Sequence, residues 1–260
     1  MELHIKGKNA IVTGGTHGIG FAIALELANQ GCNVAVCSRT KKRVDSAVKK
    51  LESKGVQCLG GLVDVLNDED IKKFCDYVID EWKTIHILIN NVGGGGRWGN
   101  ASIIDTPYKT WREVYDKNIG AAIRFTRFFI PLMRKQKWGR VVTVSSIVSR
   151  EAEGRPWYIV AKGAEASLMK SLAVRKDLAR DGITFNTVSP GAIMIPNTGW
   201  EEEKEKDPEG FRKMLNEQFP LGRMGTPEEV ASVVVFICSE RASLMSGANI
   251  VVDGGQSKSI

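Results

Sequence analysis

The sequence predicts an α/β fold, a doubly wound parallel sheet of about seven strands with helices on both faces. Three observations support this prediction. Short apolar runs rich in β-branched residues alternate with helical segments along the whole chain. A glycine-rich turn, 14–20, joins the first apolar run to the first helix. The 260 residues, of which 43% are hydrophobic, suffice for one large core, and no linker or repeat divides them. We therefore expect one domain over residues 1–260.

The positions of the elements follow from these patterns. The predicted strands lie at 9–13, 33–38, 56–64, 85–89, 141–146, 183–188 and 249–253. The predicted helices lie at 21–30, 44–54, 68–82, 110–135 and 157–180, with Asp68 as an N-cap. Another helix begins at Thr226, because Pro227 suits the first turn and Glu228 and Glu229 complement the helix dipole. The stretch 192–220 is polar and shows no strand pattern.

Composition excludes several classes of protein. No apolar run reaches the roughly 18–20 residues that a membrane span needs, and the N-terminus leaves no room for a signal peptide. Five scattered cysteines without a CxxC, and three histidines without ligand spacing, predict a cytoplasmic protein with reduced thiols and no metal site. The net charge is +6, but basic and acidic residues are interspersed. This favours solvated helix faces over a nucleic-acid site, and an anionic cofactor would use the same bias.

The glycine-rich turn is the first candidate binding site. It follows a buried strand and leads directly into a helix. Glycines allow close approach of the backbone, and the N-terminus of a helix offers unpaired N–H groups to phosphate. In this strand–turn–helix setting, the pattern predicts a dinucleotide site.

The end of the second strand bears on the choice of dinucleotide. A site that prefers NAD usually places an acidic residue there, to bind the ribose 2′-hydroxyl. This chain has Ser38 and Arg39 instead. A guanidinium suits a 2′-phosphate by geometry and charge, so the sequence favours NADP(H), with NAD(H) as the alternative. Arg39 could also open the following helix and point into solvent.

Tyr158 and Lys162 form the candidate catalytic pair. They are four residues apart in a predicted helix and therefore share one face. A phenol alone is a poor proton donor at neutral pH, but a nearby ammonium group favours its ionised form. Such a pair could exchange a proton with a carbonyl or alcohol oxygen. The spacing alone is equally compatible with a half-exposed helix face.

Together these motifs resemble the short-chain dehydrogenase/reductase family, and the resemblance covers essentially the whole chain. They stand in the family's order along the sequence. They are TGGTHGIG at 13–20, Asp64-Val65, NNVG at 90–93, the tetrad Asn118, Ser146, Tyr158 and Lys162, SPGAI at 189–193, PLGRMGTPEE at 220–229 and VVDGG at 251–255. The resemblance implies a Rossmann-type fold and a reversible hydride transfer between nicotinamide C4 and a carbonyl or secondary alcohol.

The resemblance also implies roles for individual residues. Tyr158 would give or take the proton, Ser146 would donate to the substrate oxygen, and Lys162 would assist Tyr158 and hold the nicotinamide ribose. Asn118 would hold a water that links Lys162 to solvent. The implied cofactor-binding residues are Gly14, Thr16, His17, Gly18, Ile19, Gly20, Ser38, Arg39, Asp64, Val65, Asn91, Gly93, Tyr158, Lys162, Pro190, Gly191 and Ile193.

The sequence departs from the family pattern at four places. His17 stands where NADP-preferring members often carry Arg or Lys. The interval from Ser146 to Tyr158 is one residue short, and Ser145 would restore it. Ile195 replaces a frequent Thr that contacts the carboxamide, for which Thr198 could compensate. Ala161 replaces a Ser that has no part in proton transfer.

The substrate is the least determined part of the prediction. The family resemblance is to 3-oxoacyl carrier-protein reductases and aldose or glucose dehydrogenases, so a 3-oxoacyl thioester or similar ketone is expected, with a sugar as the alternative. A non-catalytic dinucleotide-binding redox sensor is the alternative from another class. The stretch 192–220 would form a substrate lid. Candidate lining residues are Arg97, Trp98, Arg150, Arg155, Trp157 and Trp200. For each arginine, a surface ion pair with Glu151, Glu153 or the acidic run 201–205 is the alternative.

The resemblance further implies a homotetramer, and neither nucleic acid nor a membrane is expected as a partner. The usual tetramer contact of the family is formed by the helices around 110–135 and 157–180. Apolar residues there could serve that contact or could belong to the core of one chain. They are Phe125, Phe128, Phe129, Leu168, Met169 and Leu172.

Overall fold

Seven parallel strands form one sheet in the order β3-β2-β1-β4-β5-β6-β7. The structure is a computed structural model and describes residues 2–100 and 102–259. The strands are β1 (Asn9–Thr13), β2 (Asn33–Ser38), β3 (Cys58–Leu62), β4 (Ile87–Asn90), β5 (Gly139–Val144), β6 (Ile183–Pro190) and β7 (Asn249–Val252). Each was predicted, and β1 and β2 have the predicted bounds. The single-domain, doubly wound Rossmann-type α/β fold is confirmed.

Helices cover both faces of the sheet. They are α1 (Gly18–Asn29), α2 (Lys41–Glu52), α3 (Asp68–Trp82), α4 (Tyr108–Tyr115), α5 (Ala121–Gln136), α6 (Pro156–Ala173), α7 (Lys176–Ala179), α8 (Gly199–Lys206), α9 (Pro208–Gln218) and α10 (Pro227–Ile237). Successive residues of a strand point to opposite faces. Ala10 and Val12 of β1 therefore pack into the core that includes α1 and α10, whereas Ile11 packs into the core that includes α3 and α5.

Two predicted helix starts had different outcomes. Thr226 caps α10 as predicted: its side chain accepts a hydrogen bond from the backbone N–H of Glu229, whose carboxylate accepts from the backbone N–H of Thr226. Asp68 was wrongly assigned as an N-cap. It lies in the first turn of α3, and the side chain of Asn67 accepts from the backbone N–H of Glu69. Asn67 has extended backbone geometry, which an N-cap needs.

Two helices that the sequence predicted as continuous are interrupted. A π-helical turn, Asp116–Gly120, separates α4 from α5. It places Asn118 in the interior, where its amide bonds to backbone groups. The helix predicted over 157–180 ends at Ala173, because Arg175 adopts extended backbone geometry before the short helix α7. The polar runs 116–118 and 175–177 interrupt the apolar spacing at the two breaks, a signal that the prediction did not use.

The apolar residues of α5 and α6 belong mainly to the core of the chain. Phe125, Phe129 and Met169 are buried between these helices, α3 and the sheet, and Phe128, Leu168 and Leu172 pack against that core while remaining partly exposed. The alternative of a subunit contact therefore applies only to the partly exposed residues.

The stretch 192–220 folds into α8 and α9, with no strand, as its sequence predicted. Phe211, Phe219 and Met224 form a small core of their own, against which Trp200 packs. Across the described residues, none of the helices combines the length and apolar character that a membrane crossing requires.

Candidate active site

Two adjoining cavities open at the carboxyl ends of the strands, where parallel α/β sheets bind ligands. The first has a volume of about 300 Å³ and lies over the ends of β1 and β2. The second has a volume of about 370 Å³ and lies beside the end of β6 and the start of α6. The predicted site residues divide between these two spaces.

The first cavity collects most of the predicted cofactor-binding residues. Those that line it are Gly14, Thr16, His17, Ser38, Arg39, Asp64, Val65, Asn91 and Gly93. They come from four separate segments of the chain, which the parallel register of β1, β2, β3 and β4 brings to one edge. Gly18 and Gly20 lie in the first turn of α1, next to this cavity.

The glycine turn requires glycine for two physical reasons. Gly14 and Gly18 have φ values of +65° and +55°, a region that other residues rarely adopt. A Cβ on Gly20 would lie 2.3 Å from Asn91 Nδ2 and 2.4 Å from the carbonyl oxygen of Gly14. His17 precedes α1 and makes no side-chain cap, so the N-terminus of α1 faces the turn without a capping side chain. Such an arrangement fits a phosphate.

Thr13 and Asn91 hold the turn against the neighbouring strand. Thr13 is buried; its Oγ1 accepts from the backbone N–H groups of Asn91 and Val92, at 2.9 and 3.1 Å. Asn91 Nδ2 donates in return to the carbonyl oxygen of Thr13 at 2.9 Å. The Asn91 side chain therefore fixes the strand ends while also lining the cavity. Thr13 was not assigned a role from the sequence, although it begins the glycine motif.

The first cavity carries a surplus of cationic groups. Arg39 was predicted, but Arg43 and Lys117 also line the cavity and were missed. Burial lowers the pKa of Lys117, Arg39 lowers it further, and Asp64 opposes both effects. Lys117 Nζ lies 4.5 Å from the ring centroid of Trp98. Arg43 lies four residues after Arg39, in the first turn of α2, a spacing that could have identified it. The cations, the glycine cradle and the helix N-terminus together fit a dinucleotide with several phosphates.

The second cavity contains the remaining predicted residues. Ser146 and Tyr158 line it together with Ile19, Pro190, Gly191 and Ile193. Ser145, Arg97, Ile195, Thr198, Gly199 and Trp200 complete its walls. The candidate proton donors therefore face one space, next to the space that fits the dinucleotide.

The two adjacent serines have different environments. Ser145 is buried, and its Oγ lies 3.0 Å from the carbonyl oxygen of Lys162 in α6. Ser146 Oγ accepts a hydrogen bond from the backbone N–H of Val148 at 3.4 Å. As an acceptor in that bond, the Ser146 hydroxyl keeps its own proton for a group in the cavity. The geometry therefore favours Ser146 over Ser145 as a donor to substrate.

Lys162 lies one helical turn beyond Tyr158, with its Nζ 5.8 Å from the centre of the tyrosine ring. It is 3% exposed and donates to the carbonyl oxygen of Val144 at 3.2 Å and to Glu165 Oε2 at 3.0 Å. Burial alone would lower the pKa of Lys162, but the charge of Glu165, the Tyr158 hydroxyl and the hydrogen bond to Glu165 together raise it. Sequence reasoning missed Glu165, although its i,i+3 spacing from Lys162 was visible.

Asn118 is fully buried in the π-helical turn. Its Nδ2 donates to the carbonyl oxygens of Gly94 and Val114, at 2.8 and 2.7 Å, and its Oδ1 accepts from the N–H of Gly94 at 3.1 Å. Both amide protons are thus engaged, and only the Oδ1 atom could accept a further bond, from a water. A Cβ on Gly93 would lie 2.6 Å from Asn118 Oδ1 and 2.9 Å from Lys162 Nζ, so only glycine fits between them.

The candidate substrate-lining residues separate into two groups. Arg97 and Trp200 line the second cavity, where Arg97 pairs with Glu203 at 3.1 Å and lies 4.8 Å from the Trp200 ring. Trp98 lines the first cavity. The remaining three line neither cavity. Trp157 is buried and donates to the carbonyl oxygen of Gly95, Arg155 donates to the carbonyl oxygens of Trp98 and Gly99, and Arg150 lines neither cavity.

The segment after β6 is tied to the glycine turn. His17 Nε2 lies 3.1 Å from the carbonyl oxygen of Pro196. Thr198 lines the second cavity, but its hydroxyl donates to the carbonyl oxygen of Ile195 at 2.7 Å, which limits the compensating role expected for it. The segment after β6, which lines the second cavity, is therefore hydrogen-bonded to the glycine turn that lines the first cavity.

Comparison with known proteins agrees with this geometry. The family model described as enoyl-(acyl carrier protein) reductase matches residues 14–257. The 3-oxoacyl-[acyl-carrier-protein] reductase FabG of Aquifex aeolicus is 36% identical over 259 residues, which are 98% of this chain and 99% of that protein. Dehydrogenase/reductase SDR family member 4 of Homo sapiens is 36% identical over 255 residues, 96% of this chain and 88% of that protein.

A solved structure extends the similarity to the fold. The crystal structure of L-sorbose reductase from Gluconobacter frateurii, complexed with NADPH and L-sorbose, matches with a TM-score of 0.92 and 32% identity, covering 100% of both chains. The sequence relatives, the fold and the two cavities agree. The chain therefore belongs to the short-chain dehydrogenase/reductase family of NAD(P)-dependent oxidoreductases.

Proposed function

We propose that this protein is an NADP(H)-dependent oxidoreductase that interconverts a carbonyl and a secondary alcohol, with Tyr158 as general acid and base. The observation that carries the proposal is that Tyr158 and Ser146 line one cavity, next to a cation-rich cavity that fits a dinucleotide. Residues 1–260 would form one dinucleotide-binding and catalytic domain, with 192–220 as its substrate lid.

The charges of the first cavity support NADP(H) over NAD(H). Arg39 and Arg43 line it beside Ser38, at the position where NAD-preferring sites place an acidic residue. Guanidinium groups bind a phosphate through charge-assisted hydrogen bonds. The solved L-sorbose reductase holds NADPH. NAD(H) remains the alternative, because Asp64 faces the same cavity.

The bound cofactor would supply the hydride. The protein's residues would bind the substrate oxygen and exchange its proton. Tyr158 would donate its proton to the carbonyl oxygen as negative charge develops there. Ser146 would donate a second hydrogen bond to the same oxygen and so lower the barrier. Lys162 would stabilise the tyrosinate and bind the nicotinamide ribose, and Asn118 would hold a water on the path from Lys162 to solvent. Pro190, Gly191 and Ile193 would position the nicotinamide.

The substrate we favour is a 3-oxoacyl thioester or a similar ketone. Ile193, Ile195 and Trp200 give the second cavity an apolar side, suited to an acyl chain, and Arg97 adds a cation at its edge. The name of the Aquifex aeolicus relative points to the same class. A sugar is the alternative, supported by the indole of Trp200, which could stack on a sugar ring, and by the L-sorbose reductase structure.

We also infer a cytoplasmic homotetramer from the family resemblance, assembled through α5 and α6. The partly exposed Phe128, Leu168 and Leu172 are available for such a contact.

The test is a panel of acyl thioesters, aldoses, steroids and α-diketones, each with NADPH or NADH, followed by the absorbance of the nicotinamide. We expect NADPH oxidation with a 3-oxoacyl thioester or a related ketone, and slower oxidation of NADH. Equal affinity for the two cofactors would overturn the role given to Arg39. Tight dinucleotide binding without turnover of any compound would favour the redox-sensor alternative.

A further inference from the structure

A buried ion pair lies directly behind Tyr158. Lys162 and Glu165 are 3% and 1% exposed, and Nζ lies 3.0 Å from Oε2. Nζ also donates to the carbonyl oxygen of Val144, at the end of β5. Two of the three ammonium protons are thus engaged by the protein, which leaves one for the side occupied by Gly93 and Tyr158.

The carboxylate of Glu165 counteracts the effect of burial on the charge of Lys162. An ammonium group taken out of water tends to lose its proton, and a neutral amine could not stabilise a tyrosinate. An opposite charge at hydrogen-bond distance keeps the proton on the nitrogen. Burial raises the pKa of Glu165, whereas Lys162 and the Ser145 hydroxyl favour its ionised form. The large difference between the ordinary pKa values of the two groups favours the ionised pair.

We propose that Glu165 is a positioning residue of this enzyme, which keeps Lys162 protonated and directs its free N–H toward Tyr158 and the ribose side of the cofactor site. The inference deepens the proposed oxidoreductase function and rests on it. Glu165 touches neither cavity and acts entirely through Lys162.

Few other groups near the pair can titrate. Tyr158 and Glu165, both from α6, are the titratable groups that act on Lys162. The end of β5 contributes the Val144 carbonyl and the Ser145 hydroxyl, and the π-helical turn contributes the amide of Asn118. The ammonium group of Lys117, from the same turn, lies over the Trp98 ring. The charge of Glu165 should therefore dominate the titration of the pair formed by Tyr158 and Lys162.

The sign of the effect does not depend on which member of that pair loses its proton first. Reduction needs both Tyr158 and Lys162 protonated. Removing the negative charge of Glu165 makes the loss of the first proton from the pair easier, whichever group releases it. In Glu165→Gln, the alkaline limb of carbonyl reduction should therefore move to lower pH by about one unit or more. Glu165→Asp keeps the charge, so its alkaline limb should stay close to the pH seen in the wild type.

The direct test is the protonation of Lys162 in the cofactor-free protein. The protein is labelled with [13Cε]lysine, and the Lys162 signal is assigned by its loss in Lys162→Met. We expect this signal to titrate at least about one pH unit lower in Glu165→Gln than in the wild type, with Glu165→Asp restoring most of the difference. The matched control is Glu69→Gln, which removes the carboxylate of an exposed i,i+4 pair with Lys73. Equal titration of Lys162 in the wild type and Glu165→Gln would overturn the proposal.

The pH profile of reduction and the titration of Lys162 together distinguish failure of the role proposed for Glu165 from failure of the proposed function. If the wild type reduces carbonyls and Glu165→Gln keeps the same pH profile, the role of Glu165 is refuted and the proposed function stands. If the wild type reduces nothing, the proposed function fails, while the lysine signal still reports whether Glu165 keeps Lys162 charged.

A folding defect in Glu165→Gln is tested with a double variant. Lys162→Met combined with Glu165→Met removes both charges, and replacing a whole buried pair is far better tolerated than removing one partner. Recovery of folding in the double variant would support the dependence of Lys162 on Glu165. Failure of the double variant to fold, while Lys162→Met alone folds, would show that Glu165 serves the core for another reason, and would overturn the proposal.

Discussion

The two cavities at the carboxyl edge of the sheet are lined by different kinds of groups. The first is built from backbone turned by glycine and from cations such as Arg39, Arg43 and Lys117. The second is built from side chains, with Tyr158 and Ser146 on one wall and Ile195 and Trp200 on another. Backbone geometry and charge suit a ligand shared by many proteins. Side chains can vary from one protein to another, so we expect specificity for substrate to reside in the second cavity.

The largest expected effect concerns the chemistry of the second cavity. Tyr158→Phe removes the proposed proton donor and should reduce turnover by at least about 10²- to 10⁴-fold, the usual contribution of general acid catalysis. The affinity for NADPH, measured by quenching of protein fluorescence, should stay close to that of the wild type. Tyr108→Phe, which alters a tyrosine that is 76% exposed, is the matched control. Robust turnover by Tyr158→Phe would remove Tyr158 from the mechanism.

An intermediate effect is expected in the first cavity. Arg39→Ala should weaken NADPH binding by about 10- to 100-fold, because a charge-assisted hydrogen bond to the 2′-phosphate is lost. NADH binding should change little, since NADH lacks that phosphate. Arg180→Ala is the control, because Arg180 is exposed just before the amino end of β6, at the opposite edge of the sheet. Equal losses of affinity for NADPH and NADH would mean that Arg39 does not bind the 2′-phosphate.

The smallest effect is expected outside both cavities and provides a reference for the other two. Thr226→Ala removes the N-cap of α10 and should lower the free energy of unfolding by about 1 kcal/mol. The kinetic constants should not change, because Thr226 lines neither cavity. Chemical denaturation with parallel assays would measure both quantities. Ser232→Ala, in the same helix, is the control for a hydroxyl that caps nothing. A change in cofactor affinity in Thr226→Ala would show that the first cavity depends on α10.

The contrast between the cavities also explains what could be predicted from the sequence. The glycine turn and the strands β1 and β2 depend on local patterns, and the prediction located all three. Arg43 and Lys117 reach the first cavity through the packing of α2 and the π-helical turn. The polar run 116–118 interrupts the apolar spacing there, but such a run is equally compatible with an exposed face of an ordinary α-helix. Trp157 was expected in the substrate pocket but is buried beneath the Gly94–Gly95 backbone, since its large ring fills space that only the folded loop defines.

The π-helical turn bears on how this chain tolerates changes in length. A π-helical turn contains one residue more than the α-helical turn that would join the same two ends. A one-residue deletion within Asp116–Gly120 could therefore be absorbed by a regular α-helix, at the expense of the amide anchor for the Gly94 backbone. The same deletion inside α5 would rotate every later residue by about 100°. If the deletion preceded Phe129, this side chain would leave the interior, so a one-residue deletion should be tolerated better at the turn than in the first half of α5.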